Sequence, residues 1–319
     1  MAIRLDPEQI RASVARIPRE FLDSGQFVSD ELSIAAGRPV VVKVETLNPV
    51  GAFKGRGAWL AVDALVKSGA ASAERGVVVA STGNFGQAIA YAGRAMGVPI
   101  TVFAGTDGSP RKLARIARLG ATVRQEGHDF DAARERSAAF AQTTGQSLVV
   151  DSEDMWTAIG AGTLAVELTD AVARGDLPHL TAAYIPVGNG ALIAGVGAWL
   201  RHASPTTRVI GVQSEEAPSM TLSWRAGRPI ETETVNTRAG GISTRVPVPE
   251  ALEMMDGMVD DMLLVSEQAL VDAQAVLQHA LGVTAELASA ASWAGFLAAP
   301  PPTDGAILIL VTGSNAEQG

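Results

Sequence analysis

The stretch VVVASTGNFGQAIAYAG, residues 77–93, passes from a β-branched run through a Ser-Thr-Gly-Asn turn into a small-residue segment of helical length. Residues 182–200, AAYIPVGNGALIAGVGAWL, repeat the plan, with Gly188-Asn189-Gly190-Ala191-Leu192 as the turn. Strand–turn–helix units of this kind predict an α/β fold with parallel strands, because parallel neighbours need a crossover long enough to hold a helix. Working outward, short apolar runs predict strands at 40–45, 77–80, 99–103, 121–125, 147–150, 183–187, 207–212, 262–265 and 306–311. Helices are predicted at 55–68, 86–96, 111–119, 129–143, 160–174, 191–202, 266–281 and 286–298. The segment 218–261, which holds Pro218, Pro229, Pro247 and Pro249, reads as the least regular.

The totals narrow the function. A chain of 319 residues, 47% hydrophobic, buries a large core and is expected to form two lobes. It has no cysteine, which excludes disulfides, thiolate metal sites and cysteine nucleophiles. Its four histidines, His128, His179, His202 and His279, are scattered, so no histidine-rich zinc site is expected. A net charge of −9 disfavours nucleic acid and anionic membrane surfaces as partners and leaves a small molecule as the expected one. With no signal segment read at the N-terminus and no apolar run near the roughly 18 residues that span a bilayer, the expected location is the cytoplasm.

Both turns stand at helix N-termini, where unpaired N–H groups favour anions. Ser81, Thr82, Asn84 and nearby amides suit a carboxylate, and the flexible backbone of residues 188–192 suits a phosphate. Neither is a P-loop, and GNGALIAG lacks the spacing of a dinucleotide fingerprint. Glu215, after the next predicted strand, keeps a nicotinamide-dependent oxidoreductase open as a remote reading. GAFKGRGAW, residues 51–59, adds Lys54 between an aromatic residue and glycines directly after the strand VVVKVE. A lone lysine there is ordinarily a solvated surface residue. In company with two anion turns it is also what a pyridoxal-phosphate enzyme needs, a Schiff-base amine beside a phosphate cup.

The motifs KVETLNPVGAFKGRGA, ASTGNFGQAIAYA, GAGTLAVEL, IPVGNGALIAG, GVQSEEAPSM, AGGISTRVP, VDDMLLVSEQAL and VTGSN occur in an order that spans nearly the whole chain. In these the sequence resembles the fold type II pyridoxal-phosphate enzymes, in particular the threonine and serine dehydratases and serine racemases. The resemblance implies a two-lobed, tryptophan synthase β-like fold, each lobe an open, mostly parallel sheet flanked by helices. Residues 1–75 and 153–319 would form the large lobe and 76–152 the small one. It implies that Lys54 carries the cofactor, that Phe53 flanks its ring, and that Asn84 bonds its phenolic oxygen. The amides of Gly188, Asn189, Gly190, Ala191 and Leu192 would bind its phosphate, and Thr312 would face its ring nitrogen. Ser81, Thr82, Asn84, Phe85 and Gln87 would receive the substrate. The implied activity is β-elimination from a β-hydroxy amino acid, giving a 2-oxo acid and ammonia, in a homodimer.

The sequence departs from that pattern in several places. Thr82 stands where racemases place a second acid–base serine, and its branched side chain is stiffer. Gln213 and Ser219 stand where the family's cation ligands are carboxylates, so no metal is expected, with Glu215 and Glu216 as neighbouring charges. GNGAL resembles the corresponding turn of threonine synthases, which keeps β-replacement open beside racemisation. Glu286 aligns with a family glutamate near the ring and reads equally as a helix N-terminal charge. Phe85 reads either as a wall for a bulky β-substituent or as core.

Overall fold

The computed structural model describes residues 3–315. In chain order the elements begin α1 (Pro7–Ser13), β1 (Gly25–Val28), α2 (Asp30–Ala36), β2 (Val40–Val44), α3 (Lys54–Lys67), β3 (Val77–Ala80), α4 (Asn84–Met96) and β4 (Ile100–Ala104). They continue α5 (Pro110–Arg118), β5 (Thr122–Gln125), α6 (Phe130–Thr144), β6 (Ser147–Val149), α7 (Met155–Arg174), β7 (Leu180–Pro186) and α8 (Ala191–Ala203). They end β8 (Arg208–Ser214), α9 (Ser219–Ala226), α10 (Pro249–Met255), β9 (Asp261–Val265), α11 (Glu267–Leu281), α12 (Ala291–Ala298) and β10 (Ala306–Val311).

Two sheets result. One has six strands in the order β1-β2-β10-β7-β8-β9, the other four in the order β5-β4-β3-β6. All neighbours are parallel except β1, which lies antiparallel along the edge of β2. Strand β10 is apolar on both faces, and β2 is so but for Lys43, because both faces are covered. Val41, Leu308 and Leu310 point into one core, which also takes in Val77 and Val79 of the smaller sheet. Val40, Val42, Val44, Ile307, Ile309 and Val311 point the other way, into a second core that includes Tyr184, Trp293 and Phe296. Among the described residues no helix is long and apolar enough to cross a membrane.

The glycines around Lys54 have a packing cause. A Cβ at Gly57 would stand 2.6 Å from the carbonyl oxygen of Thr157, and one at Gly160 would stand 2.4 Å from the Gly57 Cα, so α3 and α7 cross backbone against backbone. Arg56, next to Gly57, is wholly buried. Its Nε and Nη2 donate to Glu45 at 3.0 and 2.9 Å and its Nη1 to Glu167 Oε1 at 2.6 Å. Lys43 on β2 donates to Glu167 Oε2 at 2.7 Å. Burial opposes the charge on Arg56, but Glu45 and Glu167 outweigh it and raise its pKa. Burial also opposes charge on Glu167, yet Arg56 and Lys43 hold its carboxyl below the ordinary range. For Lys43 burial wins over its partners and lowers the pKa.

Elements absent from the sequence reading are short. GQFV of β1 is mostly exposed and carries no apolar alternation. Helices α1 and α2 are seven residues each, started by Asp6 and Ser29, whose side chains accept from Glu8 N and Leu32 N. Segment 218–261 contains α9 and α10, begun beside Pro218 and Pro249. Helix α7 starts at Met155, not 160, because Asp154 caps it by accepting from Trp156 N. The predicted helix at 286–298 divides into a 3-10 turn, Leu287–Ala290, and α12.

Candidate active site

The carboxyl ends of β3, β6, β7 and β10 converge on one cavity of about 530 Å³, the position where parallel sheets bind ligands. Lys54, the first residue of α3, projects into it. Its Nζ lies 2.6 Å from Asp151 Oδ2, 4.9 Å from the centre of the Phe53 ring and 5.7 Å from that of Phe85. The amine thus stands near two aromatic rings, and among the described residues its ion-pair partner is the one carboxylate of Asp151.

The turn after β3 is held by Ser81, whose Oγ accepts from Gly83 N at 3.2 Å and Gly86 N at 2.9 Å. Ser81 therefore lines the cavity while its lone pairs serve the turn. Thr82 also lines the cavity. Phe85 does both things the sequence left open, lining the cavity and packing in the core. Gln87 is not brought to the cavity wall: it is fully buried, and among the described residues neither of its amide atoms has a partner.

Asn84, at the first turn of α4, is oriented from both sides. Its Nδ2 donates to Glu286 Oε1 and Oε2 at 3.0 and 3.1 Å, and its Oδ1 accepts from Asn315 Nδ2 at 2.6 Å. Asn315 in turn accepts from Arg115 of α5, which also donates to Val50 O at 3.3 Å. Burial pushes the Glu286 carboxyl above the ordinary carboxylate range, against the hydrogen bond from Asn84 and the charge of Lys112. Thr312 Oγ1 lies 3.1 Å from Ser289 Oγ, which accepts from the N–H of Thr312 and of Gly313 at 3.1 and 3.0 Å.

The second turn is a cradle of backbone. Gly190, the N-cap of α8, has φ +102, a conformation only glycine adopts without strain, and being glycine it brings no side chain of its own to the helix start. A Cβ at Gly188 would stand 2.5 Å from Gly241 O. Gly188, Asn189, Gly190, Ala191 and Leu192 all line the cavity. The N–H groups that begin a 13-residue helix have no intrahelical acceptors, and one of them, Ala191 N, is met by Ser152 Oγ at 3.2 Å. A glycine-led helix start, a primary amine, an amide donor and a hydroxyl on one cavity form the donor set that a phosphorylated pyridine aldehyde requires.

The sequence profile described as pyridoxal-phosphate dependent enzyme matches residues 27–313. The chain belongs to that family. An L-threonine ammonia-lyase of Thermotoga maritima is 34% identical over 289 residues, 91% of this chain and 70% of that protein. Among solved structures, a T.th. threonine deaminase superimposes with TM-score 0.89 at 30% identity, covering 98% of this chain and 99% of that one. Maize serine racemase does so with TM-score 0.91 at 25% identity, covering 99% and 95%. The cofactor is pyridoxal phosphate, and the residues present fit it.

Among the residues that sequence reasoning overlooked are Asp151 and Asn315, the partners of Lys54 and Asn84. Asp151 lies after β6 in DSEDMW, which reads as helix-capping chemistry, although it occupies the same strand-end position as the two recognised turns. Asn315 closes the VTGSN motif, and nothing in the motif alone announces its bond to Asn84. At the expected cation position, Gln213 Oε1 accepts from Thr221 N and Oγ1, both at 2.9 Å, and Ser219 Oγ donates to Thr244 O. Among the described residues no cluster of three or more His, Asp or Glu is arranged to hold a metal ion.

Proposed function

We propose that this chain is an ammonia-lyase that converts a β-hydroxy amino acid of the threonine or serine kind, bulkier side chains included, into a 2-oxo acid and ammonia by β-elimination. The observation that carries the reading is the Lys54 amine, set near Phe53 and Phe85 on the cavity that also receives the glycine-led start of α8 and the Ser-Thr-Gly-Asn turn. The names of the relatives above support it, being those of threonine ammonia-lyases and deaminases. When bound, pyridoxal phosphate supplies the electron sink that makes the substrate's α-proton acidic.

The amides of residues 188–192 would bind the cofactor phosphate, with the N-terminal field of α8 behind them. Asn84 would donate to the phenolic oxygen, its amide held by Glu286 and Asn315. Phe53 would flank the ring. Thr312 would offer the ring nitrogen a hydroxyl and not a carboxylate, which would not favour protonation of that nitrogen. Such a partner suits a reaction in which the leaving group soon takes up the charge. Ser81, Thr82, Asn84 and Phe85 receive the substrate, its carboxylate at the start of α4. The Lys54 amine would take the α-proton on Nζ, with Asp151 at 2.6 Å to stabilise the ammonium that results. The β-hydroxyl would leave as water by taking that proton from the Lys54 ammonium, which returns the lysine to its amine form. The sheet of β3 to β6 belongs to a small lobe, 76–152, and the six-stranded sheet to a large lobe, 1–75 and 153–319. The protein acts as a homodimer in the cytoplasm.

The test is release of 2-oxo acid and ammonia from a panel of β-hydroxy amino acids by cofactor-loaded protein. Turnover of serine, threonine or phenylserine supports the reading. Turnover only of an O-phosphorylated or O-acetylated amino acid with an added nucleophile overturns it in favour of β-replacement. Racemisation is a second reading, in which the Thr82 hydroxyl on the cavity wall would have to serve in place of the racemase serine, and chiral analysis of the same mixtures detects it.

A further inference from the structure

The orientation of the Asn84 amide is decided by its neighbours, because a primary amide presents donors at one end and an acceptor at the other. Glu286, beside Asn84 Nδ2, does not decide it: a carboxyl accepts when ionised and can donate when protonated, and burial here pushes its pKa up. Asn315, on the other side, is a second amide with the same ambiguity. The polarity of the pair is set one step further out. Arg115 of α5 donates from Nη1 to Asn315 Oδ1, and a guanidinium has donors only and stays charged. The Val50 carbonyl, which can only accept, takes Asn315 Nδ2 at 3.1 Å and Arg115 Nη2 at 3.3 Å. With Oδ1 claimed by Arg115, Asn315 turns Nδ2 to Asn84, Asn84 answers with Oδ1 at 2.6 Å, and its own Nδ2 is left on the side of Glu286 and the cavity.

Arg115 also touches the segment that carries Lys54. The loop leading to that lysine runs along the chain that leaves β10: Phe53 N donates to Thr312 O at 3.0 Å and Ser314 N to Gly51 O at 2.9 Å. Arg115 reaches this ribbon from α5, which packs on α4 and β5, and bonds to both of its sides, at Val50 and at Asn315. It is half-buried, the charged groups beside it are Arg111 and Arg118 of its own helix, and among the described residues no carboxylate is paired with it. Its charge is therefore directed at an amide and a carbonyl oxygen. We propose that Arg115 is a positioning residue: acting through Asn315, it holds the Asn84 amide with an N–H toward the cofactor's phenolic oxygen and so favours the anionic form of that oxygen. This rests on the reading of Asn84 given above. The bond at Arg115 is charge-assisted, the stronger kind, and in a chain of hydrogen bonds each polarises the next, so its loss is felt at Asn84.

The test reads the absorbance of cofactor-loaded protein, which separates the anionic, long-wavelength form of the phenolic group from the neutral, short-wavelength form. Titration gives the cofactor's Kd, and circular dichroism establishes the fold. We expect Arg115→Met to weaken cofactor binding about 10-fold, the low end for a hydrogen bond to a charged group, and to shift the absorbance toward the short-wavelength form. Arg115→Lys, which keeps a cationic donor, should lie closer to wild type in both readouts than Arg115→Gln, whose amide presents either polarity. In an Asn84→Ala background Arg115→Met should change Kd by less than about 2-fold, because its effect passes through Asn84. Wild-type absorbance and affinity in a folded Arg115→Met, or an undiminished loss in the Asn84→Ala background, overturns the proposal and leaves Arg115 a structural residue. Should Arg115→Met not fold, the lysine and glutamine variants decide, and equal values or the reverse order overturn it. If Asn84→Ala itself leaves the absorbance unchanged, the Asn84 reading fails and the proposal with it. If Asn84→Ala shifts the absorbance and Arg115→Met does not, the Arg115 assignment alone fails.

Discussion

Replacing Arg56 by methionine tests whether the buried charge network beneath Lys54 holds the fold together. The four side chains Lys43, Arg56, Glu45 and Glu167 carry two charges of each sign, and Arg56→Met leaves two carboxylates facing one lysine. Removing one partner of a buried ion pair costs about 3–5 kcal/mol, chiefly because the remaining charge has nowhere to go. That is a large part of the roughly 5–15 kcal/mol that stabilises a typical protein. With about 2.1 cal/mol/K per residue of unfolding entropy and 319 residues, the loss corresponds to a fall in Tm of about 4–8 °C. The companion variant is Arg56→Met with Glu45→Leu, which leaves the Lys43–Glu167 pair, 2.7 Å apart, electrically balanced. It should recover at least half of the lost stability. Thermal and denaturant unfolding of the cofactor-loaded proteins measures both. A single variant within about 1 °C of wild type, or a double variant less stable than the single, would refute the reasoning.

Glu286→Gln keeps an acceptor for Asn84 Nδ2 while removing a buried ionisable group. A carboxyl whose pKa in the fold lies above its unfolded value of 4.5 makes folding stability fall as pH rises through that window. The variant should therefore match wild type in melts at pH 4 and exceed it at pH 8, and the opposite order would contradict the assignment. Asn315→Asp retains an acceptor for Arg115 but cannot donate to Asn84 Oδ1. Cofactor titration should show about 10-fold weaker binding with a shifted absorbance band, the scale of one lost hydrogen bond with a group left unpaired. Wild-type affinity and spectrum would show that Asn84 needs no such support.

The parts of the fold that could be read from sequence are those whose pattern has a single physical meaning. VVVA before STGN and YIP before GNGAL are buried on both faces and end in turns that begin helices, and both lie where their sequences place them. GQFV gave no such signal, because an exposed edge strand needs only backbone pairing to β2. The site was legible where glycine or lysine marked it. It was hidden at Asp151 and Asn315, whose residue types are common in caps and turns and acquire meaning only when β6 and β10 bring them beside Lys54 and Asn84. Gln87 shows the converse: the family resemblance implied contact with substrate, yet the pitch of α4 carries its side chain into the interior.

The measurement that bears most directly on the account is the site of cofactor attachment. Borohydride reduction of the loaded protein, followed by proteolysis and mass spectrometry of the peptides, should find pyridoxyl phosphate on Lys54 and on no other lysine. Lys54→Ala should retain its fold, bind no cofactor covalently and release no 2-oxo acid. A modified Lys43 or Lys112, or undiminished turnover by Lys54→Ala, would contradict the account.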